Sequence, residues 1–349
     1  MLVSASIAGV MLSSVAARLV TLEPNATFPD TGASVVKTYG PFDAGIRFNE
    51  AIVSWNVDSP AGAALKVEAR AVLGTHETKW YTVGDWAADT KLHPRASVEG
   101  QRDQDGTVET DTLSLKAPAD KLEVQVTMST LAAGPKPVLK FLSVCFSDTG
   151  VATEDTAAKS PAWGKVIDVP ERAQNNYPNG GVLCSATSVS MLLDFYSKFL
   201  NRPELDHDVP EVEAGVWDSV YKGAGNWPFN TAFAGSFPGM RAYVSRFSAI
   251  ADLEKWIDAG FPVACSVSFD MLRGKPLSPD EQGHLVVLVG FTPEGDPIFN
   301  DPAFTDQVRK PYKRSDFEKA WLYSHRTVYL VYPSGARIPD PTGELWASP

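Results

Sequence analysis

Cysteine is scarce in this chain. Its three residues, at 145, 184 and 265, are too few and too scattered for a disulfide framework or a Cys-x-x-Cys zinc site. A single bridge between Cys145 and Cys265 stays open and would leave Cys184 free. Histidine is scarce too, with five residues and no His-Glu-x-x-His pair. Asp206-His207-Asp208 reads as a solvated loop before it reads as a metal site. Excess positive charge is missing: 31 Lys and Arg face 42 Asp and Glu, for a net charge of −11. With no basic patch along the chain, nucleic acid and anionic membrane surfaces drop out as partners. No run reaches the roughly 20 apolar residues of a membrane span. The opening MLVSASIAGVMLSSVAARLV is short and serine-rich. It reads equally as a signal peptide without a basic n-region, with SVA-A as the cleavage region, or as an element of the first domain. Secretion or another extracytoplasmic location is therefore open.

What is present is ordinary globular material, 44% apolar and 21% charged over 349 residues, enough for two domains. Residues 17–147 read as strands. ARLVTL, EAIVSWNV, ALKVEARAV, KWYTVGDWA, DTLSLKA, KLEVQVTMS and VLKFLSVCFS alternate with period two between Pro, Gly and Asp clusters. Such spacing predicts an N-terminal all-β sandwich of two sheets over 1–147. RDQDGTVETD, at 102–111, faintly echoes a calcium loop but reads as a hairpin turn at Asp105-Gly106. The small, polar and acidic stretch 148–164 reads as a linker. Residues 165–349 then mix helices and strands, giving an α+β domain with a central helix on an antiparallel sheet. SATSVSMLLDFYSKFL carries apolar residues at helical spacing, and SAIADLEKWIDAG ends on Gly260, a natural residue to close a helix. HLVVLVGF is apolar throughout, as a strand covered on both faces would be. GNWPFNTAFAGSFPGMRAYV, at 225–244, reads as an irregular aromatic loop lining a cleft, with Trp227 as a substrate contact.

Cys184 stands just after Gly180-Gly181 and opens the central helix. A helix N-terminus favours a thiolate, through positive partial charge and unpaired N–H groups. A cysteine nucleophile also needs a base, a group that orients it and donors for the oxyanion. His284 begins the buried strand HLVVLVGF, and Asp301 ends the strand PIFN. If the two strands pair as a hairpin, imidazole and carboxylate become neighbours. Asn300 is the alternative partner, but alternation lets only one of the two face His284. Gln174, ten residues before Cys184, offers an amide N–H, with the Cys184 backbone N–H as second donor. Gly181 lets the backbone pass close to a substrate. Cys145 and Cys265 sit in apolar strands and read as core, and His325 reads as surface.

A Gln upstream, a Cys opening the long helix, Gly-His at a hydrophobic strand and Asn-Asp-Pro-Ala after it resemble the papain-like peptidases of bacteriocin leader processing. These form cysteine peptidase family thirty-nine, and the chain is most similar to its stand-alone, family-like branch over roughly residues 165–333. The resemblance implies a papain-like fold, with Cys184 as nucleophile, His284 as base, Asp301 as orienting group and Gln174 as oxyanion donor. It implies a peptide or protein substrate, cleaved through a thioester acyl-enzyme, and no metal or organic cofactor. Two alternatives stay open. One is an acyltransferase of transglutaminase or peptide-ligating type on the same triad. The other is an inactive protein whose sandwich binds a polysaccharide or cell-surface ligand.

Overall fold

A computed structural model of the chain describes residues 17–151, 159–281, 283–339 and 346–347. Most of the stretch read as a signal peptide, up to residue 16, and residues 152–158 of the expected linker lie outside these.

The N-terminal part folds into β1 (Ala17–Leu22), β2 (Ala26–Thr27), β3 (Ser34–Asp58), β4 (Ala63–Leu73), β5 (His76–Glu77), β6 (Tyr81–Ala87), β7 (Gly106–Glu109), β8 (Thr112–Thr130) and β9 (Val138–Ser147). Period-two alternation decides which face each strand buries. Along β8, Leu122, Val124, Val126, Met128 and Thr130 are buried while their neighbours are not. The strands are longer than their sequence signals, 25 residues for β3 and 19 for β8. Gly40, Pro41 and Gly45 punctuate the sequence as turns would. They fall instead where the β3–β8 register shifts, between Tyr39 and Phe48, so the chain bends without leaving the sheet. Because β3 and β8 run on through this bend, the strands join one ten-stranded hydrogen-bonded sheet, not the two separate sheets expected. Side chains from β3, β4, β6, β8 and β9, among them Trp55, Val67, Val83, Val126 and Val144, share one core, so the sheet curls over itself. The hairpin turn lies at Thr110-Asp111, between β7 and β8, with Thr110 at φ 59°, and not at Asp105-Gly106.

The rest of the chain gives α1 (Cys184–Leu200), α2 (Val209–Val216), α3 (Trp227–Ala234), β10 (Met240–Arg246), α4 (Ile250–Asp258), β11 (Val263–Val267), α5 (Phe269–Leu272), β12 (His284–Phe291), β13 (Pro297–Asn300), β14 (Arg309–Pro311), α6 (Arg314–Leu322) and β15 (Thr327–Pro333). β16 (Trp346–Ala347) returns to pair with β1 in the first sheet. The second sheet has six strands in the order β10-β15-β11-β12-β13-β14, antiparallel throughout. α1 exceeds its amphipathic pattern: every residue from Ser185 to Asp194 is buried. Serines allow close approach to the sheet, Ser185 Oγ bonding the Tyr329 hydroxyl at 2.9 Å and Ser188 Oγ donating to Leu285 O at 3.3 Å. Gly260, at φ +86°, follows α4 as its sequence position suggests.

Residues 225–244 are more regular than expected. α3 starts there because Asn226 caps it, its side chain accepting from Phe229 N–H, and Pro228 suits the first turn. Asp206-His207-Asp208 is no metal site. Arg172 pairs with Asp206 and Asp208, and Asp208 caps α2 in a capping box. All three cysteines are free, so the Cys145–Cys265 bridge does not form; both lie buried in strands.

The two sheets do not sit apart. Phe229 and Ala232 of α3 join the core of the first sheet, while Leu19, Ile52 and Cys145 join the core of the second. Ala162 is fully buried in the second core, so the expected linker ends in packed structure. An arm after β6 adds a polar tie. Fully buried Asp218 accepts from the backbone N–H of Ser97, Val220 and Tyr221 and from Asn226 Nδ2, at 2.9–3.1 Å. Among the described residues no helix is long and apolar enough to cross a membrane.

Candidate active site

A cavity of about 580 Å³ opens between the sheets and is lined by Cys184 and His284. β12 and β13 pair antiparallel as far as Val287↔Asn300, so His284 and Asp301 stand just beyond the open end of that ladder. His284 Nε2 bonds Asp301 Oδ1 at 2.7 Å. Asp301 also accepts from the Tyr312 hydroxyl and from Ala303 N–H. Burial raises the Asp301 carboxyl, but these bonds and the His284 charge outweigh it and leave its pKa lowered. Asn300 faces elsewhere, donating to Val169 O and Pro170 O and accepting from Arg309.

Cys184 is half-buried at the first residue of α1. That end has no side-chain cap and no acidic residue in its first turn, so its N–H groups and positive partial charge remain available. Burial pushes the thiol up. The hydrogen bond and charge of His284, with backbone bonds from Leu285 and Ser185, prevail and leave the Cys184 pKa lowered. Burial likewise disfavours the imidazolium, but bonds to Asp301 and Cys184 and both their charges raise the His284 pKa. Nε2 is engaged by Asp301, so Nδ1 is the nitrogen left for the thiol. Phe269 packs its ring on His284, 4.6 Å between centroids. This arrangement favours a thiolate–imidazolium pair.

The structure brings Cys184, His284 and Asp301 together, with Gly181 and Trp227 on the cavity lining. Gln174 is buried and off that lining, its Nε2 donating to Gly180 O at 2.7 Å while Oε1 has no partner. Gly180 is glycine because a Cβ there would strike Gln174 O; Gly181 has open space. Thus Gly180 permits contact with Gln174, and Gly181 alone faces the cavity. His325 is exposed, as expected, yet also lines the cavity and meets Glu50 at 3.2 Å. Two groups of the site were missed in the sequence. Tyr312 follows a short strand without a local signature, and Asp111 comes from the first sheet, far away in the chain. Among the described residues no group of three or more His, Cys, Asp or Glu is placed to hold a metal.

Residues 166–329 match the peptidase C39-like family, and residues 31–147 match the peptidase C39 N-terminal domain. Residues 166–329 thus belong to the C39-like peptidases, with the C39 N-terminal domain before them, and that family points to cysteine peptidase activity on a protein or peptide. Among solved structures, a Bacillus anthracis protein assigned as a C39-like peptidase is 19% identical, over 50% of this chain and 99% of that one, with a TM-score of 0.35. FLHE is 13% identical, over 37% and 93% of the respective chains, with a TM-score of 0.21. No curated protein matches the chain.

Proposed function

We propose that the protein is a cysteine peptidase that hydrolyses peptide bonds through a Cys184–His284–Asp301 triad. The observation carrying this is one imidazole bonded to a buried carboxylate at 2.7 Å and to a thiol at an uncapped helix start. The Cys184 thiolate attacks the scissile carbonyl carbon, and the carbonyl π electrons move to oxygen. Backbone N–H of Cys184 receives that oxyanion; the second donor we assign is the remaining amide N–H of Gln174, although that side chain stands off the cavity lining and donates to Gly180 O. The imidazolium protonates the leaving amine as the C–N bond breaks, giving a thioester. His284, now neutral, takes a proton from water, whose oxygen attacks the thioester and releases the acid and the thiolate. Asp301 keeps the imidazole in one orientation throughout. We read the chain as an N-terminal all-β domain over 1–147, sandwich-like in curling over its own core, a linker over 148–164 and a papain-like domain over 165–349.

Iodoacetamide alkylation of Cys184, followed by mass spectrometry against pH in wild type and His284→Ala, tests this. An ordinary thiol reacts with a midpoint near 8.5, whereas a paired thiolate reacts well below it. Rapid alkylation at pH 6 that disappears in the variant is expected. Ordinary titration in both proteins overturns the assignment.

A further inference from the structure

The cavity holding Cys184 and His284 has a second wall, supplied by the first sheet. The β7–β8 hairpin contributes Glu109, Thr110, Asp111 and Thr112 to it. The tight turn, with Thr110 at φ 59° and Asp111 N–H donating to Glu109 O at 2.7 Å, fixes where Asp111 stands. Asp111 is 5% exposed. Its Oδ2 accepts from Trp227 N–H at 2.7 Å and its Oδ1 from the Thr112 hydroxyl at 3.0 Å.

Charge balance in the cavity is uneven. Arg246 is neutralised by Glu50 at 2.6 Å, and Glu50 also meets His325 at 3.2 Å. Glu109 and Lys222 are exposed at the rim. Asp111 forms no ion pair within 4 Å among the described residues; the nearest cation acting on it, Arg246, is already paired with Glu50 and offsets its burial only in part. Burial, with the Asp218 charge, pushes its carboxyl up to about 6 despite the two hydrogen bonds and the charge of Arg246. A cation within about 4 Å would stabilise the ionised form. Helix capping at Trp227 accounts for one oxygen. It does not require that the acceptor carry a charge, because an asparagine oxygen caps as well.

We propose that Asp111, on the hairpin facing Cys184, forms a subsite that receives a cationic side chain, lysine or arginine, of the peptide substrate. This rests on the peptidase reading for the word substrate, but not for the binding. The N-terminal domain then selects what the nucleophile cuts, from across the cavity.

Binding to the full-length Cys184→Ala chain tests the proposal apart from chemistry. Three fluorescein-labelled nonapeptide libraries differ only in the central residue: lysine, norleucine or glutamate. Fluorescence anisotropy is expected to show lysine binding about tenfold tighter than norleucine, with glutamate weakest. Adding Asp111→Asn, which keeps an oxygen for Trp227, should bring lysine and norleucine within about twofold. Equal binding of the three libraries, a lysine preference that survives Asp111→Asn, or no binding overturns the subsite. If Asp111→Asn does not fold, the lysine–glutamate order in Cys184→Ala alone decides. Wild-type cleavage of the lysine library is read separately. Lysine preference without cleavage keeps the subsite and removes the peptidase assignment.

Discussion

Replacing Asp218 with alanine should damage the join between the sheets more than any catalytic change does. The carboxylate is fully buried and takes four donors: Ser97 N–H at 3.0 and 3.1 Å to its two oxygens, Val220 N–H at 2.9 Å, Tyr221 N–H at 3.0 Å and Asn226 Nδ2 at 2.9 Å. A hydrogen bond to a charged group contributes about 1.5–3 kcal/mol, and each stranded buried donor costs about 1–3 kcal/mol. These values do not add fully. Losing the buried charge itself offsets part of the damage, which leaves about 4 kcal/mol. Against a stability of about 5–15 kcal/mol, that is a large fraction. Urea unfolding followed by tryptophan fluorescence provides the assay. With a slope of about 3 kcal/mol per molar urea, the midpoint should fall by about 1.3 M. Asp218→Asn keeps one acceptor oxygen and should lose roughly half as much. Trypsin cleavage after Lys222 should also quicken, because the loop from Ser219 to Gly225 loses its anchor. A midpoint shift below about 0.3 M for Asp218→Ala would refute the idea that this carboxylate carries the junction.

The other expectations concern the triad, its neighbours and pH. Asp301→Ala should lower kcat by about 10²-fold or more with Cys184 still alkylatable, and Tyr312→Phe, which removes one hydrogen bond to Asp301, by less than about tenfold; steady-state kinetics on a peptide substrate reads both. Gln174→Ala should reduce kcat by about 10²-fold if its amide serves the oxyanion, whereas a change in urea midpoint alone would assign it to holding Gly180. Gly180→Ala should destabilise the chain and slow Cys184 alkylation, since the new Cβ meets Gln174 O. Activity should fall on the acid side as the lowered Cys184 thiolate takes a proton, and on the alkaline side as the raised His284 loses one. The same groups set signs for stability. Asp301, lowered, stabilises above the ordinary carboxylate range and loses this as pH falls through its folded value; His284, raised, stabilises below the ordinary imidazole value and loses this as pH rises through its folded value.

Features written in a few adjacent residues were legible. The helix opened by Cys184, the strand opened by His284 and the hairpin ending in Asp301 each rest on local periodicity and near-neighbour pairing. Alternation also separates Asp301 from Asn300, and the side-chain bonds of the two follow that split. α3 was hidden because prolines and glycines around it read as loop, although Asn226 and Pro228 are start signals. The bend in β3 was hidden because Gly40, Pro41 and Gly45 end most strands, and only the pairing of β8 carries this one through. Asp111 and Tyr312 reach the site by tertiary folding from segments with no motif of their own. Asp206 and Asp208 are exposed, as a solvated loop requires, but their pairing with Arg172, over thirty residues away, left no local trace.

The three free thiols differ sharply in shelter: Cys145 and Cys265 are 1% and 0% exposed, while Cys184 is only half-buried. Counting modified sulfurs therefore works as a built-in gauge of chain integrity. A folded molecule yields one derivatised position, and a fully opened one yields three. Intermediate values, resolved by peptide mapping, separate loss of the junction from loss of the second sheet's interior, since Cys145 lies in β9 of the first sheet but packs in the core of the second, and Cys265 lies in β11 within that core. The protein thus carries a reporter for its seam and one for its second core, with no label to engineer.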